Sequence, residues 1–214
     1  MHLKPYRDEI MTRSKTTQST SRLQPVWVKV SCIILSAMIL SSCAAVVVGG
    51  AAIVASDRRT TGTVLDDQTI EVRVSDHIYA AEGFEGGDHV KVEVYQGVVL
   101  LVGEVTSEEK RTLAASRAGE IESVSRVVNE LVVDQSASVG ERLDNTWLTT
   151  KVNTVLLKEN PVPGFDATRI KVITSRDNVY LMGLVSREEG EAVTEVVRNV
   201  GGVAKVIKVF SYSD

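Results

Sequence analysis

Apolar residues recur with two different periods along this chain. In the first part of the pattern they stand four apart, at Ile70, Val74 and Ile78, which is the spacing of an amphipathic helix. Two stretches follow, 90–94 and 98–105, in which apolar positions alternate as they do in half-buried strands. The pattern therefore predicts a helix followed by two strands.

The segments that join these stretches carry turn and helix-start signals. The glycine in Tyr95-Gln96-Gly97 indicates a tight turn, so the two strands should form a hairpin. Ser107, Glu108 and Glu109 should open a second helix, because acids stabilise the positive end of the helix dipole. A last stretch, 124–133, is predicted to form a third strand. The unit is then α-β-β-α-β, an α+β fold with two helices packed on a three-stranded mixed sheet.

The second half of the chain repeats this unit about 80 residues later. Residues 179–185 (VYLMGLV) match residues 99–105 (VLLVGEV), and both stretches precede an acidic helix start. A duplication of this length predicts two tandem domains, at 66–134 and 144–214. The small, polar residues 135–143 are expected to form the linker.

Gly103 and Gly183 occupy equivalent positions inside a predicted strand. Glycine weakens a strand unless another backbone must approach it closely. We therefore expect both to be structural glycines that allow a helix to pack against the sheet.

The start of the chain has the layout of a secretory signal. Basic residues precede an apolar run that ends in Leu40-Ser41-Ser42-Cys43. This ending resembles a bacterial lipobox, in which the cysteine is diacylated and the signal is removed before it. We predict a signal peptide at 1–42, acyl chains on Cys43, and a flexible tether at 43–65. Two or more acyl chains would hold the protein stably on a membrane.

An uncleaved anchor is the alternative. No charged residue lies between Val30 and Ala55, and about 20 apolar residues can span a bilayer. Ala44 follows the cysteine, and the absence of Asp there is typical of lipoproteins sent to the outer membrane. We therefore expect a protein anchored by lipid at the periplasmic face of the outer membrane.

Composition argues against several classes of function. The chain has a net charge of −4, and an acidic protein is a poor candidate for binding nucleic acid. The other cysteine, Cys32, lies within the signal, so no disulfide or thiolate chemistry is expected after cleavage. Two separated histidines, His77 and His89, make a poor metal site. We expect no enzyme activity, cofactor, metal or small-molecule substrate.

The ordered motifs resemble those of a known family. A repeated α-β-β-α-β unit with VxLxGxV before an acidic helix start resembles the BON domain, and two such units behind a lipobox resemble the dual-BON outer-membrane lipoproteins. The segments that carry the resemblance are DDQTIEVRV (66–74), YQGVVLLVGEV (95–105), DNTWLTTKV (144–152) and VYLMGLVSREE (179–189). The resemblance implies a non-enzymatic protein that binds anionic phospholipid through its second domain. It also implies enrichment at the division site and a part in outer-membrane integrity.

The first helix of the second domain carries a candidate lipid site. We predict this helix from an N-cap at Asp144 to Lys158, with its apolar arc toward the sheet. The side chains expected to contact lipid are Trp147, Lys151, Thr154, Leu157 and Lys158. An interfacial helix places an indole at headgroup depth and ammonium groups against lipid phosphates. Each Lys contributes only about 1 kcal/mol near an anionic surface, so the acyl tether must raise the local concentration.

Other interpretations stay open. Trp147 could pack against a neighbouring helix or the first domain. The BON sheets could contact outer-membrane assembly proteins or a peptidoglycan-associated partner, with lipid contact incidental. A third possibility is a periplasmic stress protein that shields lipids or unfolded chains.

Overall fold

The computed structural model describes residues 59–84 and 86–213. The predictions for the signal peptide at 1–42 and for acylation of Cys43 fall outside these residues. None of the helices in the described ranges combines the length and apolar composition that crossing a bilayer requires.

Two copies of one unit follow each other along the described chain. The first domain contains α1 (Thr61–Tyr79), β1 (His89–Tyr95), β2 (Val98–Val105), α2 (Glu108–Gly119) and β3 (Arg126–Val133). The second contains α3 (Val139–Glu159), a short 3-10 helix (Ala167–Arg169), β4 (Lys171–Ser175), β5 (Asn178–Val185), α4 (Arg187–Arg198) and β6 (Lys205–Tyr212). The predicted α-β-β-α-β order is confirmed in both copies.

Each domain contains a three-stranded mixed sheet. In the first, β1 pairs antiparallel with β2, and β2 pairs parallel with β3. In the second, β4, β5 and β6 pair in the same way. Helices α2 and α4 make the crossovers between the parallel strands, because parallel neighbours cannot be joined by a tight turn. The predicted α+β fold is confirmed.

Serine side chains cap helices α2, α3 and α4, and one of these caps differs from prediction. Helix α2 starts as expected, with Ser107 accepting from the backbone N–H of Lys110. The predicted N-cap at Asp144 is wrong, because α3 begins at Val139 with Ser138 as its N-cap. Ser138 and Glu141 form a capping box that satisfies two backbone N–H groups. Most of the expected linker is therefore the first turn of α3.

The first helix also starts earlier than expected. Thr60 caps α1 by accepting from the backbone N–H of Thr63, so the last residues of the predicted tether are helical.

Three apolar cores organise the described part of the chain. One lies between helices and sheet in each domain, and the third joins the two sheets. The third core contains Tyr95, Val98, Leu100, Val102, Ile173, Tyr180, Met182 and Val209. Strand β2 is buried along its whole length, because its two faces belong to different cores. The apolar residues of 98–102 are therefore continuous, which corrects the alternation expected for this stretch.

The two strand glycines allow close approach of another backbone. Gly103 has φ 122°, and a Cβ there would collide with the carbonyl oxygen of His89 at the start of β1. A Cβ on Gly183 would lie 2.8 Å from the carbonyl oxygen of Arg169. The approaching backbone thus belongs to the entry of the hairpin, not to the helices that cover the sheet, which corrects the expectation from sequence.

Candidate functional site

Helix α3 carries a row of exposed apolar side chains, which we call the outer ridge. Its members are Val139, Leu143, Trp147 and Leu157, which are 76%, 64%, 62% and 65% exposed. With 3.6 residues per turn they fall within an arc of about 80°, and at 1.5 Å per residue they span roughly 27 Å. The ridge is therefore a narrow apolar strip along the outside of the second domain.

The opposite side of α3 holds the helix in place. Leu148, Val152 and Leu156 are buried in the core of the second domain. The helix therefore presents its outer ridge from a fixed position. Trp147 is exposed, so the alternative in which it packs into a neighbouring element is not what the structure shows.

The predicted polar residues of the site have different surroundings. Lys151 lies with its Nζ 4.9 Å from the centroid of the Trp147 ring and donates to the carbonyl oxygen of Gly201 at 2.5 Å. Thr154 is exposed, and its hydroxyl donates to the carbonyl oxygen of Thr150 at 2.8 Å. Lys158 is exposed at the end of the helix. Lys151 is therefore a partly engaged cation, whereas Lys158 faces solvent.

Two members of the outer ridge were missed from sequence. Val139 and Leu143 lie before Asp144, where the helix was predicted to begin. The pattern Ser138-x-x-Glu141 is a capping-box signal and would have extended the helix to include them.

Helix α1 offers a contrasting surface in the first domain. It exposes Leu65, Val72 and Tyr79, spaced seven residues apart. Its sequence contains neither Trp nor Lys and includes several acids. An acidic helix of this kind would be repelled by an anionic membrane.

Ion pairs connect β4 of the second domain to the first domain. Lys171 of the second domain pairs with Glu93 and, at 3.5 Å, with Glu71. Burial alone would raise the pKa of Glu93, but Lys171 and Lys91 outweigh it and hold that pKa below its usual range. Glu93 is therefore ionised at neutral pH.

A second interdomain pair lies near the first turn of α3. The guanidinium of Arg176 donates to Asp134 at 2.7 Å. This hydrogen bond lowers the pKa of Asp134 and raises that of Arg176. The chain segment that leads into α3 is thereby tied to the second hairpin.

Comparisons with known proteins agree with this architecture. The family model described as BON domain matches residues 66–135 and 144–214. The chain is 35% identical over 159 residues to the outer membrane lipoprotein DolP of Haemophilus influenzae, covering 74% of this chain and 81% of that protein. It is also 35% identical over 156 residues to a 21 kDa hemolysin of Actinobacillus pleuropneumoniae, covering 73% and 79%.

Similarity to solved structures is weaker. CdsD, a structural protein of the type III secretion system of Chlamydia trachomatis, covers 69% of this chain and 63% of its own at 12% identity and a TM-score of 0.27. A score this low supports no argument about this chain.

Proposed function

Because the chain belongs to the family of BON-domain proteins, we propose that it is an outer-membrane lipoprotein that binds anionic phospholipid through helix α3 of its second domain. The outer ridge is the observation that carries this proposal. Its relative DolP, an outer membrane lipoprotein, supports the cellular location. The acyl chains would be attached to Cys43 and would hold both domains at the periplasmic face.

The ridge has the chemistry that an interfacial helix needs. Burying apolar side chains contributes about 25 cal/mol for each Å² removed from water. The indole of Trp147 suits headgroup depth, and Lys158 can meet lipid phosphates at about 1 kcal/mol. These contributions are modest singly, but a tethered protein needs little affinity because its effective concentration at the membrane is high.

We extend the proposal to enrichment at the division site and support of outer-membrane integrity, which the family resemblance suggests. We propose no catalytic role, and the relatives are named as a lipoprotein and a hemolysin.

The alternative in which the sheets contact an assembly partner is less favoured by the packing. The central strands β2 and β5 are buried almost throughout, since helices cover one face of each sheet and the other domain's sheet covers the second. Within the described residues, a protein partner would have to use the helices or strand edges.

The test uses Trp147 as its own probe. The chain has two tryptophans, and the other, Trp27, lies in the predicted signal. The unacylated chain from residue 43 should show a blue-shifted tryptophan emission when phosphatidylglycerol vesicles are added, and little change with phosphatidylcholine vesicles. An unchanged spectrum with both would refute the proposal.

A matched pair of variants locates the site. Leu157→Glu should weaken vesicle binding about tenfold, since it removes apolar contact and adds a repelled charge. Leu65→Glu alters an equally exposed leucine on α1, 64% against 65%, and should leave binding unchanged. Equal loss in both variants would mean that the contact is not specific to α3.

A further inference from the structure

A cleft of about 220 Å³ lies between the two domains. One wall is the hairpin of the first domain, and the other is the first half of α3 with the end of β4. Its chemistry-bearing residues include His89, Lys91, Glu104, Arg142, Thr146 and Thr149. The cleft has room for several waters or one small polar molecule.

Two cations, Lys91 and Arg142, line opposite walls of the cleft, and Glu104 is the one carboxylate that lines it within the described residues. Lys91 also pairs with Glu93 at 2.8 Å, and the guanidinium of Arg142 donates to the Ala137 carbonyl oxygen and the Ser136 hydroxyl. Glu104 is 2% exposed, accepts from the backbone N–H of Ala137 at 3.2 Å and lies 3.4 Å from Nε of Arg176. It also lies 3.8 Å from Nδ1 of His89, so its negative charge acts on the cleft as well.

His89 reports the same electrostatic environment. Burial lowers its pKa, and the nearby Arg142 lowers it further, while Glu104 opposes both. Arg142 thus makes the potential at His89 more positive, whereas burial disfavours a charge of either sign.

Hydroxyl and amide groups line the rest of the wall. Thr146, Thr149, Thr174 and Ser175 supply hydroxyls, and the Thr149 and Thr174 oxygens lie 2.9 Å apart. Hydroxyl groups donate and accept, so they suit both phosphate oxygens and the hydroxyls of a polyol.

The two domains have different residues at the helix position that, in the second domain, lines the cleft. In the first domain Asp67 is buried and accepts from the backbone N–H groups of Gln96 and Gly97 at 2.8 and 2.9 Å. The corresponding residue in the second domain, three positions before the first core residue of its helix, is Asn145, which lines the cleft. An amide in place of the carboxylate removes a negative charge that would repel an anion.

The cleft adjoins the outer ridge. At 100° per residue, the arc of α3 that carries Arg142 and Thr146 borders the arc that carries Val139 and Leu143. A lipid held at the ridge would therefore have its headgroup beside the cleft.

We propose that this cleft binds the phosphate ester of a small polyol, such as a glycerol phosphate, either as a free molecule or as the headgroup of a membrane phospholipid. Arg142 and Lys91 bind the phosphate, and the threonines with Asn145 bind the polyol. The headgroup source rests on the proposed function, whereas binding of the free molecule does not.

The test is an NMR titration of the unacylated chain from residue 43. Glycerol 3-phosphate should shift the His89 imidazole and the amides of Thr146 and Thr149, and uncharged glycerol should not. Arg142→Gln should weaken this binding at least tenfold, with Arg198→Gln, an exposed arginine at the end of α4, as the matched control. Lys91→Gln gives a second, independent reduction from the opposite wall.

The outcomes separate the two sources and the two proposals. Shifts with free glycerol 3-phosphate support the cleft even if vesicle binding fails, and Leu157→Glu should leave them unchanged. Shifts at the cleft only with phosphatidylglycerol micelles, reduced by Arg142→Gln, support the headgroup source. Absence of shifts with both probes, or shifts that Arg142→Gln leaves at full strength, would overturn the proposal.

Discussion

The phenol oxygen of Tyr95 in the first domain accepts a hydrogen bond from the backbone N–H of Leu184 in the second, at 3.1 Å. Tyr95 is 2% exposed, and the guanidinium of Arg59 lies 4.0 Å from the centroid of its ring. The bond occurs within the apolar core between the sheets, where an amide without an acceptor is costly. This contact aligns the two domains and so helps to set where α3 and its ridge face.

Tyr95→Phe should therefore destabilise the protein. Removing the phenol oxygen that accepts from the Leu184 N–H should lower the free energy of unfolding by about 1–3 kcal/mol, measured by urea denaturation. Tyr212→Phe removes a hydroxyl from a 37% exposed ring and is the control, with a change expected below about 0.5 kcal/mol. If the two variants lost the same free energy of unfolding, the hydrogen bond between Tyr95 and Leu184 would not contribute to stability as predicted.

Lipid contact should include the two residues of the outer ridge that precede the predicted start of α3. Val139→Glu and Leu143→Glu should each weaken binding to phosphatidylglycerol vesicles several-fold, because both side chains are exposed on the same arc as Leu157. Vesicle flotation measures the bound fraction, and circular dichroism checks that the helix persists. Full binding by both variants would limit the site to the second half of α3.

The strand glycines should tolerate alanine very differently from a helical glycine. Gly103→Ala should cost about 3 kcal/mol or more, since it combines a positive φ with a collision against the His89 carbonyl. Gly183→Ala should cost less, because that residue has no positive φ in the structure. Gly119→Ala has open space around the new Cβ and should be neutral or stabilising. Thermal unfolding of the three variants measures these losses of stability. A loss in Gly119→Ala as large as that in Gly103→Ala would contradict the prediction.

His89 should make stability depend on pH. Burial and Arg142 lower its pKa in the folded protein below the ordinary value of 6.5, while Glu104 partly opposes them. Protonation then favours the unfolded chain, so stability should fall as pH drops below that ordinary value. The stability of His89→Gln should equal that of the parent protein above pH 7, and it should not show this decline below pH 7. Urea denaturation at each pH measures the free energy of unfolding of both proteins. If the two free energies changed with pH in parallel, His89 would not be the cause.

Much of the fold could be predicted because the information is local. The helical spacing of Ile70, Val74 and Ile78 reports which face is buried, and the alternation around Gly97 reports a hairpin. Because the unit is repeated, the same patterns occur a second time in the second half of the chain. The same reasoning placed Trp147 and Leu157 on exposed positions of α3, and it missed Val139 and Leu143 only because the cap was assigned to the wrong polar residue.

The chain's own sequence therefore determined the two repeated units, their element order and the exposed aromatic and leucine of α3, because periodicity depends on neighbours within a few residues. Only the tertiary structure decided that the sheets pack face to face, that His89 and Arg169 approach the strand glycines, and that a cleft between the domains lies beside the ridge. These features join residues far apart along the chain, such as Tyr95 and Leu184, which are separated by 89 positions. Their pairing follows from packing two domains against each other, which no local pattern records.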